Sequence, residues 1–131
     1  MKKIAFIGVL VLCMMGCDPV SQMDADITNT TSQNLTIIFV SATDRNKTLE
    51  IPTNEKVLFQ DGFSTTGSVL SPVLTQYDSI YIQTESNEIL RVYKENSAGK
   101  NIYNIDSFWQ QSEPSKRFYQ YDYMLTNEDL N

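Results

Sequence analysis

Past an apolar block at the start, hydrophobic residues in this chain recur at a spacing of two, in short runs broken by turn residues. The strongest run is residues 34–42 (NLTIIFVSA), with Leu35, Ile37 and Phe39 on one face of an extended strand and Ile38 and Val40 on the other. Apolar residues on both faces predict a central strand covered on each side, or one that changes sheet. Residues 27–32 (ITNTTS) predict a short edge strand. Residues 48–51 and 56–60 predict two more, separated by the turn signal Pro52-Thr53-Asn54. Asp61 to Gly67 reads as a loop bounded by glycines, and Pro72 demotes residues 68–75 to an edge strand or an irregular segment. Residues 79–84 and 89–94 flank Glu85-Ser86-Asn87-Glu88 and predict the clearest hairpin. Residues 102–112, with Phe108 and Trp109, fit either a helical turn or a strand. Residues 117–125 alternate, with Tyr119, Tyr121 and Tyr123 on one face and Phe118, Gln120, Asp122 and Met124 on the other. About seven short strands and no long segment of helical period predict an all-β fold, a small antiparallel β-sandwich (immunoglobulin-like or related) in preference to a small barrel.

The first seventeen residues, MKKIAFIGVLVLCMMGC, follow a different pattern. Lys2 and Lys3 precede an uncharged, mainly apolar run from Ile4 to Met15, the layout of an export signal. As a helix that run spans only about 18 Å, short of the roughly 30 Å hydrocarbon core of a bilayer. Met14-Met15-Gly16-Cys17 resembles a bacterial lipobox, in which a small residue precedes the cysteine that receives the lipid. Met14 stands where that motif more often has Leu, and Cys13 is the poorer acceptor because Leu12 precedes it. The resemblance implies that residues 1–16 are a removed lipoprotein signal peptide and that Cys17 carries acyl chains, palmitate among them. One chain of that size gives marginal membrane binding, and two or three anchor stably. The alternative is a plain secretory signal with Cys17 left as a thiol. Residues 17–26, polar and carrying Pro19, read as the lipidated cysteine and a tether, and 27–131 as the β-sandwich domain.

Charge narrows the function classes. The whole chain carries −6, and loss of Lys2 and Lys3 with the signal takes it to −8, a surface that repels nucleic acid and anionic headgroups. Lys116-Arg117 is the only adjacent basic pair after the signal. Histidine is absent and Cys17 is the one cysteine left after processing. No triad, no usual zinc site and no disulfide follows, and neither a metal nor another cofactor is expected.

Paired carboxylates can catalyse without histidine, and Asp61, Asp78 and Asp122 are the candidates, though no spacing selects a pair. Calcium at Asp24, Asp26 or the Glu128-Asp129 tail lacks the alternating ligand spacing of a binding loop. The glycines at 62, 67 and 99 lack the rest of a phosphate-loop motif and read as turns. The aromatics of the last quarter offer either ligand contacts, through Trp109, Tyr119, Tyr121 and Tyr123, or core packing, with core packing favoured. Asp78-Ser79-Ile80 is similar to the O-glycosylation tripeptide of Bacteroidota, which would make Ser79 a modification site. Asn29, Asn34 and Asn46 open Asn-x-Thr triplets that bacterial lipoproteins normally leave unmodified.

The C-terminal series Ile102-Tyr103-Asn104, Trp109, Tyr119-Gln120-Tyr121-Asp122-Tyr123 and Leu125 to Leu130 resembles that of small, largely uncharacterised lipoproteins of Bacteroidota. That resemblance implies an extracytoplasmic β-domain and no particular activity. The expectation is a lipid-anchored cell-envelope protein, on the outer membrane or cell surface in preference to the inner membrane. Its sandwich would be a binding or structural module and not an enzyme, touching the membrane through Cys17, with a glycan or an envelope protein as further partner. The alternatives are a carboxylate-dependent glycan hydrolase and an accessory subunit of an envelope complex.

Overall fold

The computed structural model describes residues 19–43 and 45–130. The export signal and Cys17 lie outside the described residues. Eight strands form: β1 (Ser21–Asn29), β2 (Leu35–Ser41), β3 (Lys47–Ile51), β4 (Lys56–Ser64), β5 (Tyr77–Gln83), β6 (Ile89–Tyr93), β7 (Gln110–Ser115) and β8 (Phe118–Leu125). A single helical turn, α1 (Ile105–Phe108), precedes β7, and a 3-10 turn (Asn127–Leu130) follows β8. They pack as a β-sandwich. Sheet A has the order β4-β1-β8-β7 and sheet B the order β3-β2-β5-β6. Every pairing is antiparallel except β1 with β8, which run parallel in the middle of sheet A.

Several stretches differ from the sequence expectation. Asp61 to Ser64, expected as loop, continue β4 because they pair with Ser21 to Asp24 of β1. Of the expected tether, Ser21 to Asp26 belong to β1, because Met23, Ala25 and Ile27 alternate with polar residues and point into the core, with exposures of 0 to 3%. Of the strand expected at 27–32, Ile27 to Asn29 end β1, and Thr31 and Ser32 lie in a bend. Residues 102–112 hold both readings in series: α1, capped by the Asn104 side chain accepting from the Ser107 N–H, and then β7. Residues 68–75 form no strand, as Pro72 foreshadowed.

The core is the meeting of the two inward faces. Leu35, Ile37 and Phe39 of β2, with Ile80 and Ile82 of β5, face Met23, Ala25 and Ile27 of β1 and Tyr121, Tyr123 and Leu125 of β8. Phe39 of sheet B stacks on Phe59 of sheet A with ring centroids 4.8 Å apart. Burying a side chain of this size contributes about 1.5–3 kcal/mol. Turns that demand a left-handed residue use asparagine at Asn54 and Asn87, which tolerates that conformation better than most residues. Asn29, fully buried, closes the end of β1: its amide donates to the Gln33 and Ile51 carbonyls and its oxygen accepts from the backbone and hydroxyl of Thr31.

Candidate functional site

Three of the four aromatics considered for ligand contact are core residues. Trp109 is 4% exposed, Tyr121 5% and Tyr123 0%, and only Tyr119 is half-buried. The Trp109 indole N–H donates to the Ile102 carbonyl at 2.7 Å, and its ring lies 5.4 Å from Tyr123 and 6.3 Å from Phe59. The Tyr123 hydroxyl donates to that of Tyr93 at 3.1 Å, and Tyr121 reaches the Leu70 carbonyl at 2.8 Å. Burial pushes all of the Tyr93, Tyr121 and Tyr123 hydroxyls up from the ordinary tyrosine value. The period of two that marked this tyrosine stripe marks an inward face, so its rings are spent on packing. Ser79 is also buried, at 7%, within β5 and opposite Val40. Its hydroxyl therefore has little exposure in the folded domain.

What faces water instead is the outer side of sheet A. The registers set its residues in cross-strand rows: Phe63, Gln22, Phe118 and Ser115; then Asp61, Asp24, Gln120 and Ser112; then Leu58, Asp26, Asp122 and Gln110; then Lys56, Thr28 and Met124. Two of the three carboxylates singled out in the sequence, Asp61 and Asp122, thus share one face with Asp24 and Asp26. Asp78 sits at the start of β5 in the other sheet. Two aspartates of this face, Asp26 and Asp122, form hydrogen bonds within it. Gln120 donates to Asp26 at 2.8 Å, while Asp122 accepts from the Thr28 hydroxyl at 2.8 Å and stands 4.0 Å from the Lys56 ammonium. Partial burial raises the Asp26 pKa against the opposing Gln120 bond and Lys56 charge, and the neighbouring Asp24 and Asp122 raise it further.

No set of three or more metal-ligating side chains converges among the described residues. Asp129, considered for calcium, is held just past the end of β8 by the Lys100 ammonium at 2.7 Å and by Thr126. One depression of about 510 Å³ is lined by two carboxylates, Glu95 and Asp106, with Tyr103, Ile105 and Ser71 around them. Both carboxylates are exposed to water. Burial, with the charges of Asp78 and Glu95, pushes the Tyr103 hydroxyl up to about 12. It donates to the Tyr77 carbonyl at 3.0 Å. The arrangement on sheet A is therefore an open array of hydrogen-bond acceptors and amides, suited to contact along a surface more than to enclosing a small substrate.

The sequence reading weighed Asp24 and Asp26 only for calcium and missed them as part of a sheet face, because they were assigned to the tether. The alternation Met23-Asp24-Ala25-Asp26-Ile27 was the signal that places them on a strand. No protein-family model, curated protein or solved structure matches the chain. The functional reading therefore stands on the residues and their geometry.

Proposed function

We propose that the chain is a lipid-anchored cell-envelope protein of the Bacteroidota type. Its β-sandwich acts as a binding or structural module held beside the membrane, with the outer face of sheet A turned to its partner. The carrying observation is that β1 begins at Ser21, four residues after Cys17, and is an inner strand of sheet A. Anchor and polar face are then joined through one hydrogen-bonded strand instead of a long tether. The open row structure favours a partner with an extended surface, a glycan or an envelope protein, over a substrate enclosed in a cleft.

The test is intact mass and membrane fractionation of the protein in a bacterial host that processes lipoproteins, beside a Cys17→Ala form. The expected result is a wild-type mass that includes acyl chains on Cys17 and release from membranes only by detergent, with the substituted form soluble. Two soluble forms starting at another residue would overturn the anchorage and make the protein a free exported domain.

A further inference from the structure

We propose that the end of the sandwich where β1 begins docks on the surface of the bilayer that carries the chain's own lipid anchor. This rests on the anchorage at Cys17 put forward above. The four residues from Cys17 to Ser21 span at most about 14 Å even when fully extended, at roughly 3.5 Å each. That length keeps this end of the domain within reach of the headgroups and the far end away from them.

The two most exposed large apolar side chains of the described residues both lie at this end: Val69, 74% exposed, and Phe63, 61%. Phe63 pairs with Gln22, the second residue of β1, and Phe118 flanks Gln22 from the other side. Val20, 41% exposed, immediately precedes β1. Val69 belongs to the same end because its loop is pinned there. Gly67, at φ +70°, leaves so little room that a Cβ on it would come within 2.9 Å of Pro19. Single exposed apolar residues are ordinary on a protein surface, but a group of them on one end is the mark of an interaction site. Aromatic and branched apolar side chains of this kind bury in the boundary between headgroups and acyl chains.

The β7–β8 turn brings Lys116 and Arg117 to the same place. The Arg117 Nε lies 3.5 Å from the Cβ position of Gly67, and the Arg117 carbonyl accepts from the Gln22 N–H at 2.9 Å. Long cationic side chains at such a boundary lay their stems on apolar surface and keep the charge among phosphates. Acidic groups oppose them: Glu113 accepts from the Arg117 N–H at 2.7 Å, Asp24 and Asp61 occupy the next row, and Asp18 precedes Pro19 in the chain. Docking is therefore driven by the apolar side chains and persists on uncharged phosphatidylcholine. Strand β1 then leads away from the bilayer, and the aspartate rows begin one row above the docked one.

The experiment uses the mature lipidated chain in phosphatidylcholine vesicles with brominated acyl chains, which quench an indole that enters the bilayer boundary. Phe63→Trp places the probe at the docking end, and Val92→Trp places it on the outer face of sheet B. The buried Trp109 gives a constant background in both. We expect the added fluorescence of Phe63→Trp to fall by about half or more, as contact with the acyl boundary requires, and that of Val92→Trp to stay unchanged. Vesicle-bound protein with neither indole quenched would overturn the docking and leave the anchor standing. Equal quenching of both would overturn it by removing the preferred orientation. An indole of Phe63→Trp shielded from acrylamide but untouched by brominated lipid would assign this end to protein contact, such as a second copy, and overturn it as well. A chain that fails to float with the vesicles would overturn the anchorage and this inference with it.

Discussion

The two sheets share one core but turn different outer faces to their surroundings. Sheet A shows Asp24, Asp26, Asp61 and Asp122 with Gln22 and Gln120 between them. Sheet B sets Thr48, Ile38, Tyr81 and Val92 in one row and carries Val40 beside it. On sheet A the alternation is the full inside–outside code of a half-buried strand. On sheet B, β2 is apolar at nearly every position, and its inner residues are separated from its outer ones only by the covering sheet. Ile38, Val40 and Tyr81 are half-buried, since branched and aromatic neighbours across strands cover one another. Once β1 and β8 are paired, the alternation on sheet A gives it an unambiguous outside, whereas the outer apolar row of sheet B reads as core until its neighbours are known.

The largest effect that tests this division comes from two adjacent residues of β2. Phe39→Ala should lower the unfolding free energy by about 3–5 kcal/mol, because it empties the stack on Phe59 and Tyr77. Ile38→Ala should cost about 1 kcal/mol, the ordinary loss for a half-buried strand residue. Urea melts of both variants make the measurement. Similar losses in the two would break the comparison, since Ile38 would then be covered as fully as Phe39.

A smaller effect tests how the sheets are joined. The hydroxyl of Tyr123, on β8 of sheet A, donates to that of Tyr93, on β6 of sheet B, and the rings meet edge to face at 6.5 Å. Tyr123→Phe should cost about 1 kcal/mol, because it strands the Tyr93 hydroxyl, and adding Tyr93→Phe should recover most of that loss. Both hydroxyls have pKa values raised by burial. Their contribution is thus whole below the ordinary tyrosine value and is lost as pH climbs through the raised folded values. Thermal melts from neutral to alkaline pH should show wild type losing stability above about pH 10, with the double variant losing less. Identical alkaline profiles would mean that the pair does not report on the union of the sheets.

The class and most strands of this fold were legible in the sequence because its turns are marked and its inward residues repeat at two. The hairpin around Glu85 to Glu88 and the last strand are where the pattern put them, with Asn87 supplying the left-handed turn residue. The start of β1 was not legible. Pro19 and five polar residues within DPVSQMDAD resemble a tether, and only pairing with β4 and β8 reveals Met23 and Ala25 as core. The parallel partnership of β1 with β8 was equally hidden, because register across almost a hundred residues leaves no local trace. The tyrosine stripe was legible as a face but not as an inward one until the sheet opposite it was in hand. The aspartate face went unread as a unit for the same reason: its members come from three strands distant in sequence.

The smallest effect concerns the charge on sheet A itself. Asp26 stands between Leu58 of β4 and Asp122 of β8, and its pKa is raised, first by burial and then by Asp24 and Asp122, against the Gln120 bond and the Lys56 charge. An acid whose pKa is higher in the folded state favours folding in its protonated form. Its contribution is present below the unfolded carboxylate value and lost as pH rises through the folded one, upward from about pH 4. Asp26→Asn keeps an oxygen acceptor for Gln120 and removes the titration. The variant should therefore gain melting temperature over wild type as pH goes from about 3 to 7, by a small amount because the side chain remains partly solvated. An Asp122→Asn variant removes a like charge from beside Asp26 and should lower the Asp26 pKa, readable by carboxyl NMR titration. If neither variant alters the acid titration or the pH dependence of melting, the aspartates of sheet A act as separate solvated charges. The contrast with sheet B would then be one of composition alone, with no coupled polar surface for a partner to meet.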